Sequence, residues 1–148
     1  MKQLFAAVAF VACLAGPATA APDAVQTAAD FHAALAAGDA EAAAALLADD
    51  VTIYEEGWVE RSKAEYVARH LPDDIAFSRQ VTMTTASSQT FTRGDTAWVI
   101  SEGTSKGTFQ GKPVDRVNAE TMVLRLDQGG WRIVHMHWSS HKAPSTTP

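Results

Sequence analysis

The stretch Trp131–His141 constrains the fold most, because alternate residues along it form two faces that are both largely apolar. In a strand, one face would carry the side chains of Trp131, Ile133, His135 and His137. The opposite face would carry those of Arg132, Val134, Met136 and Trp138. A strand that is apolar on both faces is typical of a sheet covered on both sides, so two of the five histidines would lie on a covered face.

The N-terminal residues have the pattern of an export signal. Lys2 precedes an apolar run, Leu4–Leu14, and the segment Ala18–Ala20 fits the small-x-small rule for cleavage. The apolar run is shorter than the roughly 20 residues that a membrane-spanning helix needs. We therefore expect a signal peptide at residues 1–20, and a mature protein that is periplasmic or secreted and not held in the membrane. Lipidation at Cys13 is the alternative, although the residues before it fit a lipidation motif poorly.

The rest of the chain is the length of one domain and is acidic, the whole sequence having a formal net charge of −5. We expect no nucleic acid partner, because phosphate binding needs a basic surface. The domain is placed at residues 21–141, and a disordered tail rich in Pro, Ser and Thr at residues 142–148. No residue pattern points to a bound cofactor, and none is expected.

Capping residues mark the predicted N-terminal helices. Asp23 followed by Gln26 is a capping box that opens the first helix, and Gly38 would end it in a left-handed conformation. Asp39 would then cap a second, alanine-rich helix that continues through Leu47.

A second capping box, Ser62 with Glu65, predicts a third helix that reaches about His70. Pro72 is expected to end this helix, because proline has no backbone N–H to donate. A favourable interaction with the helix C-terminus would account for His70. His32 is expected on the solvent-exposed surface of the first helix.

Six segments have the alternation or the β-branched composition of strands. They are Val51–Tyr54, Trp58–Glu60, Val81–Thr92, Ala97–Ser105, Val114–Leu126 and Trp131–His141. Helices followed by long antiparallel strands predict an α+β fold, with the N-terminal helices packed in a strongly curved, mostly antiparallel sheet. Such a half-cone would enclose a cavity between helices and sheet, where a small molecule could bind.

The last hairpin has a defined register if Gln128 and Gly129 form a two-residue loop. The predicted pairs are then Leu126–Trp131, Leu124–Ile133, Met122–His135 and Glu120–His137. Directly opposite side chains have Cβ atoms about 5 Å apart, so the Glu120 carboxylate would hydrogen-bond to the His137 imidazole. A slip of one residue would move Glu120 to the other face and remove this pair.

Four pieces of the chain carry a resemblance to a known family. They are the Phe31–Val51 segment with Gly38-Asp39 at its helix junction, the Tyr54–Gly57 turn, the Gly111–Pro113 hairpin and the Gly130–Ser140 strand. In this order and spacing, they make the chain resemble the SnoaL-like branch of the nuclear transport factor 2-like superfamily. The resemblance implies a cone with a pocket at its wide end, and a homodimer formed through the outer face of the sheet. The superfamily includes ketosteroid isomerases, polyketide cyclases, dehydratases and protein-association domains, so the fold does not assign the function.

The candidate site consists of polar side chains expected at the pocket. For the isomerases, the resemblance implies an Asp base with a Tyr/Asp oxyanion site, which no set of positions here matches; Glu120 and Tyr54 are the nearest by type. We assign His137 as the base or acid of a proton-transfer reaction and Glu120 as the carboxylate that orients it. His135 would be a second imidazole, and Tyr54 a hydrogen-bond donor. The candidate ligand-binding residues are Trp58, Arg116, Asn118 and Met122.

The favoured hypothesis is an exported pocket protein for a small molecule, with isomerase, cyclase or dehydratase chemistry. Other interpretations stay open. Glu120, His135 and His137 could form a structural hydrogen-bond network in the core. The same three side chains could bind Zn²⁺ or Cu²⁺, although their spacing matches no compact metal motif. The protein could also be a non-catalytic dimeric module that binds a ligand or another protein.

Overall fold

A computed structural model describes residues 23–144. The predicted signal peptide at residues 1–20 and the end of the predicted tail, residues 145–148, lie outside this described part. Within it, four helices pack on one curved, mixed sheet that is not closed into a barrel, which confirms the predicted α+β class. No helix of residues 23–144 is long and apolar enough to cross a membrane.

The elements follow one another in the predicted order, except that a fourth helix, which was not predicted, stands between the third helix and the third strand. The helices are α1 Ala24–Ala37, α2 Ala40–Ala45, α3 Lys63–Arg69 and α4 Leu71–Ser78. The strands are β1 Leu47–Glu55, β2 Trp58–Glu60, β3 Val81–Arg93, β4 Thr96–Phe109, β5 Lys112–Asp127 and β6 Gly130–Lys142. They form one sheet in the order β2-β1-β6-β5-β4-β3, in which β1 and β6 are parallel and every other neighbouring pair is antiparallel.

The helical hairpin forms through the predicted caps. The Asp23 carboxylate accepts a hydrogen bond from the backbone N–H of Gln26 at 2.8 Å, and Gly38 ends α1 with a left-handed φ of 79°. Asp39 caps α2 by accepting from the N–H of Ala42. The prediction that this helix continues through Leu47 is wrong, because Leu47 is buried as the first residue of β1.

A second correction concerns the segment after α3. Ser62 caps α3 as predicted, by accepting from the N–H of Glu65 at 3.1 Å. Pro72, however, does not end helical structure: it lies in the first turn of α4, where a missing N–H costs no hydrogen bond. His70 is the junction between the two helices, and this bend brings its imidazole against carboxylates of β1, β2 and α4.

The register of the last hairpin agrees with the prediction only near its turn. The pairs Leu126–Trp131 and Leu124–Ile133 are present. A bulge at Val134 then shifts β6 by one residue, so that Val123 pairs with His135. The predicted pairing of Glu120 with His137 is therefore wrong.

The bulge decides which residues of β6 face the helices. After it, Met136 and Trp138 lie on the inner face, and His135 and His137 lie on the outer face. Glu120 pairs with Trp138 and shares the inner face with it.

The core lies between the helices and the inner face of the sheet. Its largest fully buried side chains are Tyr66, Phe31, Leu47, Ile53, Leu71, Met122, Leu124, Ile133, Met136 and Val51. β3 is the opposite case, because all of its residues except Val81 are exposed. The half of the sheet that β3 borders therefore extends beyond the packed core and leaves space above its inner face.

Candidate functional site

A cavity of about 480 Å³ opens where the sheet extends beyond the core. Residues of α1 and α4 form one wall, and residues of all strands except β2 form the other. The lining residues are His32, Leu35, Glu55, Glu56, Asp74, Phe77, Ser78, Met83, Ser105, Phe109, Val114, Arg116, Asn118, Trp138, Ser139 and Ser140. The lining therefore combines an apolar group with several ionisable side chains, which is typical of a small-molecule site.

His32 and Glu120 form a contact across the helix–sheet interface at this cavity. The Nε2 atom of His32 lies 3.0 Å from Oε2 of Glu120. Trp138 donates its indole N–H to the other carboxylate oxygen. The side chains of His32 and Glu120 are 31% and 11% exposed, so the contact is largely shielded from bulk water.

The surroundings of His32 act on its pKa in two directions. Burial alone would lower the pKa of His32, because a charged imidazole loses hydration. The hydrogen bond to Glu120 and its negative charge outweigh burial, with a further contribution from Asp74, and the pKa rises above its usual 6.5. The pair therefore stabilises the imidazolium form of His32 relative to that of an ordinary histidine.

A depression of about 270 Å³ adjoins the cavity on the side of β3 and β4. His32, Asn118 and Trp138 border both spaces, and Glu120 borders the depression. The His32–Glu120 pair is therefore next to open space on either side.

A second polar group lies where α3 and α4 meet β1 and β2. His70 is its centre: its Nε2 lies 3.3 Å from Oε2 of Glu55 and 3.5 Å from Oδ1 of Asp74, and its Nδ1 lies 3.2 Å from Oε1 of Glu60. Tyr66 donates its hydroxyl to Oδ2 of Asp74 at 2.6 Å. We call Glu55, Glu60, His70 and Asp74 the carboxylate–histidine cluster; Glu55 and Asp74 reach the cavity.

Burial dominates the electrostatics of this cluster. It raises the pKa of Glu55 to about 7, with the charge of Asp74 adding to the effect, and it raises the pKa of Asp74 to about 6. Burial lowers the pKa of His70, but the charges of the surrounding carboxylates outweigh it and the pKa is raised. Burial and the neighbouring Asp74 also raise the pKa of Tyr66, so its hydroxyl stays protonated as a donor.

Two of the predicted ligand-binding residues do line the cavity. Arg116 donates to the hydroxyl of Ser140 at 2.6 Å and to Glu56 at 3.3 Å, which holds its guanidinium at the cavity wall. Asn118 donates its amide to the hydroxyl of Ser105 at 2.7 Å. These contacts fix the orientation of both side chains before any ligand arrives.

The other predicted site residues lie elsewhere. Tyr54, His135 and His137 form a group on the outer face, where the ring centroid of Tyr54 is 5.6 Å from that of His135 and 6.5 Å from that of His137. His135 also contacts the Thr52 hydroxyl at 2.9 Å. Because Glu120 is on the inner face, it cannot join these two histidines in the metal site or the core network that the predicted register implied.

The remaining two predicted ligand-binding residues are not among those that line the cavity. Trp58 lies on the edge strand β2 and is 66% exposed. Met122 is fully buried in the hydrophobic core.

Sequence reasoning missed His32 and His70. His32 was expected on the surface of α1; its side chain is 31% exposed but faces the cavity, and its place one residue after the core residue Phe31 was a signal that it borders the packed side of the helix. Asp74, four residues after His70, was a local signal for the second group, whereas Glu55 and Glu60 reach His70 from β1 and β2.

Comparison with known proteins supports the resemblance seen in the sequence. Residues 25–143 match the sequence model of a family described as the SnoaL-like domain. No curated protein matches the chain.

Solved structures give the same result. The chain is 38% identical to a candidate ketosteroid isomerase from Shewanella frigidimarina, over 77% of this chain and 92% of that one, with a TM-score of 0.74. It is 23% identical to a candidate dehydratase of the nuclear transport factor 2-like family from Streptomyces avermitilis, over 80% and 94% of the two chains, with a TM-score of 0.69. The CaMKII hub of S. rosetta, also 23% identical, shares 85% and 100% coverage with a TM-score of 0.67. The last two likenesses show the fold alone.

Proposed function

The chain belongs to the SnoaL-like domain family, and from this premise we propose that it catalyses proton transfer on a small molecule bound in the inner cavity. The reaction is an isomerisation, in which a proton leaves one carbon of the substrate and is delivered to another, or a dehydration, in which a proton leaves one carbon while the C–O bond of the neighbouring hydroxyl breaks and that group takes up a proton and departs as water. The observation that carries the proposal is the contact of Glu120 with His32, whose side chain lines the cavity. The 38% identical relative, a candidate ketosteroid isomerase, supports the isomerase alternative.

His32 carries the proton in this proposal. In the neutral form of His32, Nε2–H donates to Glu120, which leaves Nδ1 with the lone pair that can take a proton from a carbon next to a carbonyl. The Glu120 carboxylate, 3.0 Å from Nε2, stabilises the imidazolium that forms. Delivery of the same proton to another carbon completes the isomerisation and returns His32 to its starting state.

The residues of the cavity wall are suited to an apolar substrate that has at least one oxygen atom. Leu35, Phe77, Phe109 and Val114 contribute apolar surface, and about 480 Å³ lies within the range of roughly 300–1,000 Å³ for small-molecule pockets. The Ser105 hydroxyl accepts from Asn118, so its own O–H can donate to a substrate oxygen.

This proposal keeps the predicted role of Glu120 and replaces His137 by His32. His135, His137 and Tyr54 lie on the outer face of the sheet, so they do not act as catalytic groups in it. His135 and His137 serve instead as control positions. Each carries an imidazole like that of His32, but lies on the face of the sheet away from the cavity.

Proton transfer can be tested with a Δ5-3-ketosteroid as the probe. Purified protein in D₂O should accelerate exchange of the carbonyl-adjacent hydrogens and formation of the conjugated ketone. His32→Gln should lower the rate by roughly 10²–10⁴-fold, while His137→Gln should leave it unchanged. Loss of activity in His137→Gln with full activity in His32→Gln would contradict the proposal, as would the absence of exchange.

Export and self-association remain predictions. Periplasmic fractionation with N-terminal sequencing tests cleavage after Ala20.

Light scattering on the purified protein tests the homodimer, and a monomer at all concentrations would contradict it.

A further inference from the structure

The carboxylate–histidine cluster is not used by the reaction proposed above. We propose that Glu55, His70 and Asp74 form a binding site for a divalent transition-metal cation of the Zn²⁺ type, open toward the inner cavity. Glu60 and Tyr66 position two of the three ligands.

The spacing of the three donor atoms fits one small cation. One ligand atom from each residue lies within 4.8 Å of the others. A tetrahedral ion with bonds of about 2.1 Å holds its ligand atoms about 3.4 Å apart. Nε2 of His70 is 3.3 Å from the Glu55 oxygen and 3.5 Å from the Asp74 oxygen, close to that separation.

Hydrogen bonding leaves one of the three ligand atoms without a partner. Oε2 of Glu55 is buried and, within residues 23–144, has no hydrogen-bond partner, although Nε2 of His70 is near. The ring nitrogen thus faces the space between the two carboxylates instead of donating to Glu55. A cation in that space would be bound by all three groups at once, which a single N–H cannot achieve.

Glu60 positions the imidazole of His70. It is only 5% exposed, its Oε1 lies 3.2 Å from Nδ1 of His70, and its Oε2 has no partner in the described chain. A carboxylate that accepts from Nδ1–H leaves the lone pair on Nε2, which is the arrangement found around metal-binding histidines. Tyr66 orients the carboxylate of Asp74 in a similar way. Its hydroxyl donates to Oδ2, which leaves Oδ1 to bind the metal.

The negative charge of the cluster also favours a bound cation. Three carboxylates surround one imidazole, and no Lys or Arg of the described residues forms an ion pair with Glu55, Glu60 or Asp74. Buried carboxylates without counter-charges are costly, and a divalent cation would neutralise the excess.

The donor set selects the class of metal. One imidazole nitrogen and two carboxylate oxygens suit Zn²⁺ and similar first-row ions, whereas Ca²⁺ and Mg²⁺ prefer oxygen ligands alone. Three protein ligands leave at least one coordination position for water or a ligand in the cavity, toward which Glu55 and Asp74 are exposed.

The test is titration of chelator-treated protein with ZnCl₂, followed by calorimetry. The wild-type protein should bind one equivalent. Glu55→Gln and Asp74→Asn should each weaken binding by about ten-fold or more, and Glu60→Gln by about 10–100-fold, because Glu60 orients His70. The control is His135→Gln combined with His137→Gln, which removes the imidazoles of the outer face and should leave the stoichiometry and affinity unchanged.

Thermal unfolding distinguishes Zn²⁺ binding at the carboxylate–histidine cluster from binding at the histidines of the outer face. Zn²⁺ should raise the Tm of the wild-type protein and the outer-face control, but not that of Glu55→Gln or Asp74→Asn. Circular dichroism confirms that these variants are folded, and the absorption of bound Co²⁺ reports the coordination geometry. Binding that is lost in the outer-face control and kept in the cluster variants would overturn the proposal, as would a folded wild-type protein that binds no Zn²⁺. No substrate is needed, so the outcome is independent of the proton-transfer assay.

Discussion

His32 on α1 and Glu120 on β5 are 88 residues apart in the sequence, and their Nε2 and Oε2 atoms lie 3.0 Å apart where His32 lines the cavity. This contact joins the helical layer to the sheet at the place where the packed core ends. It gives the inner cavity an imidazole that is charged more readily than an ordinary histidine. The predictions below follow from it and from the neighbouring contacts.

Replacement of Glu120 by Gln should lower the pKa of His32. The variant removes the negative charge that raises this pKa, while the effect of burial, which lowers it, stays. A pH titration of the imidazole signals by NMR measures the change, and the pH–rate profile for proton exchange should move to lower pH with it. Asp115→Asn, an exposed carboxylate on the same strand, is the control; an unchanged His32 pKa in Glu120→Gln would contradict the assignment.

The His32 contact should also make stability depend on pH. The pKa of His32 is raised in the folded state, so its stabilising contribution is complete below about pH 6.5 and is lost as the pH rises through the folded pKa. The difference in unfolding free energy between the wild-type protein and His32→Gln should therefore be larger at pH 5.5 than at pH 9. Urea unfolding across that range measures it. A difference that grows with pH would have the wrong sign.

Substitution of Met122 should affect mainly stability, and substitution of Asn118 should affect mainly ligand binding. Met122 is fully buried in the core, so Met122→Ala should cost about 2–5 kcal/mol of unfolding free energy. Asn118 lines the cavity, so Asn118→Ala should alter steroid affinity with a smaller loss of stability. Urea unfolding and ligand titration on both variants check this, and a stable Met122→Ala protein with lost binding would return Met122 to the ligand site.

Tyr66 should be the tyrosine that matters for stability. Its hydroxyl is buried and donates to Asp74, so Tyr66→Phe leaves a buried carboxylate without its donor at a cost of about 1–3 kcal/mol. Tyr54 is 41% exposed on the outer face, and Tyr54→Phe should change stability by less than about 0.5 kcal/mol. Thermal unfolding of the two variants side by side is sufficient. Equal losses would mean that the Asp74 contact contributes little.

The fold was predictable because its signals are local or periodic. Caps such as Asp23, Gly38 and Ser62 mark helix ends through hydrogen bonds to residues three or four positions away. Strand alternation and the turn after Asp127 depend on neighbouring residues in the same way. Pro72 misled the prediction because a proline that ends one helix is equally acceptable in the first turn of the next.

The site was less predictable because one bulge changes the face of every residue after it. Both faces of β6 are largely apolar, so the pattern around Val134 contains no sign of the extra residue. Glu120 was recognised as the partner of a histidine, but the bulge moved His137 away from it. His32 takes that place from another element, which no local pattern could indicate.

The most direct test of the central claim is an NMR titration of the five histidine imidazoles with a Δ5-3-ketosteroid. The account predicts that the His32 signal shifts with ligand and changes its pKa, while the signals of His135 and His137 on the outer face stay constant. A shift of His135 and His137 with an unperturbed His32 would contradict it and place the working site on the opposite face of the sheet.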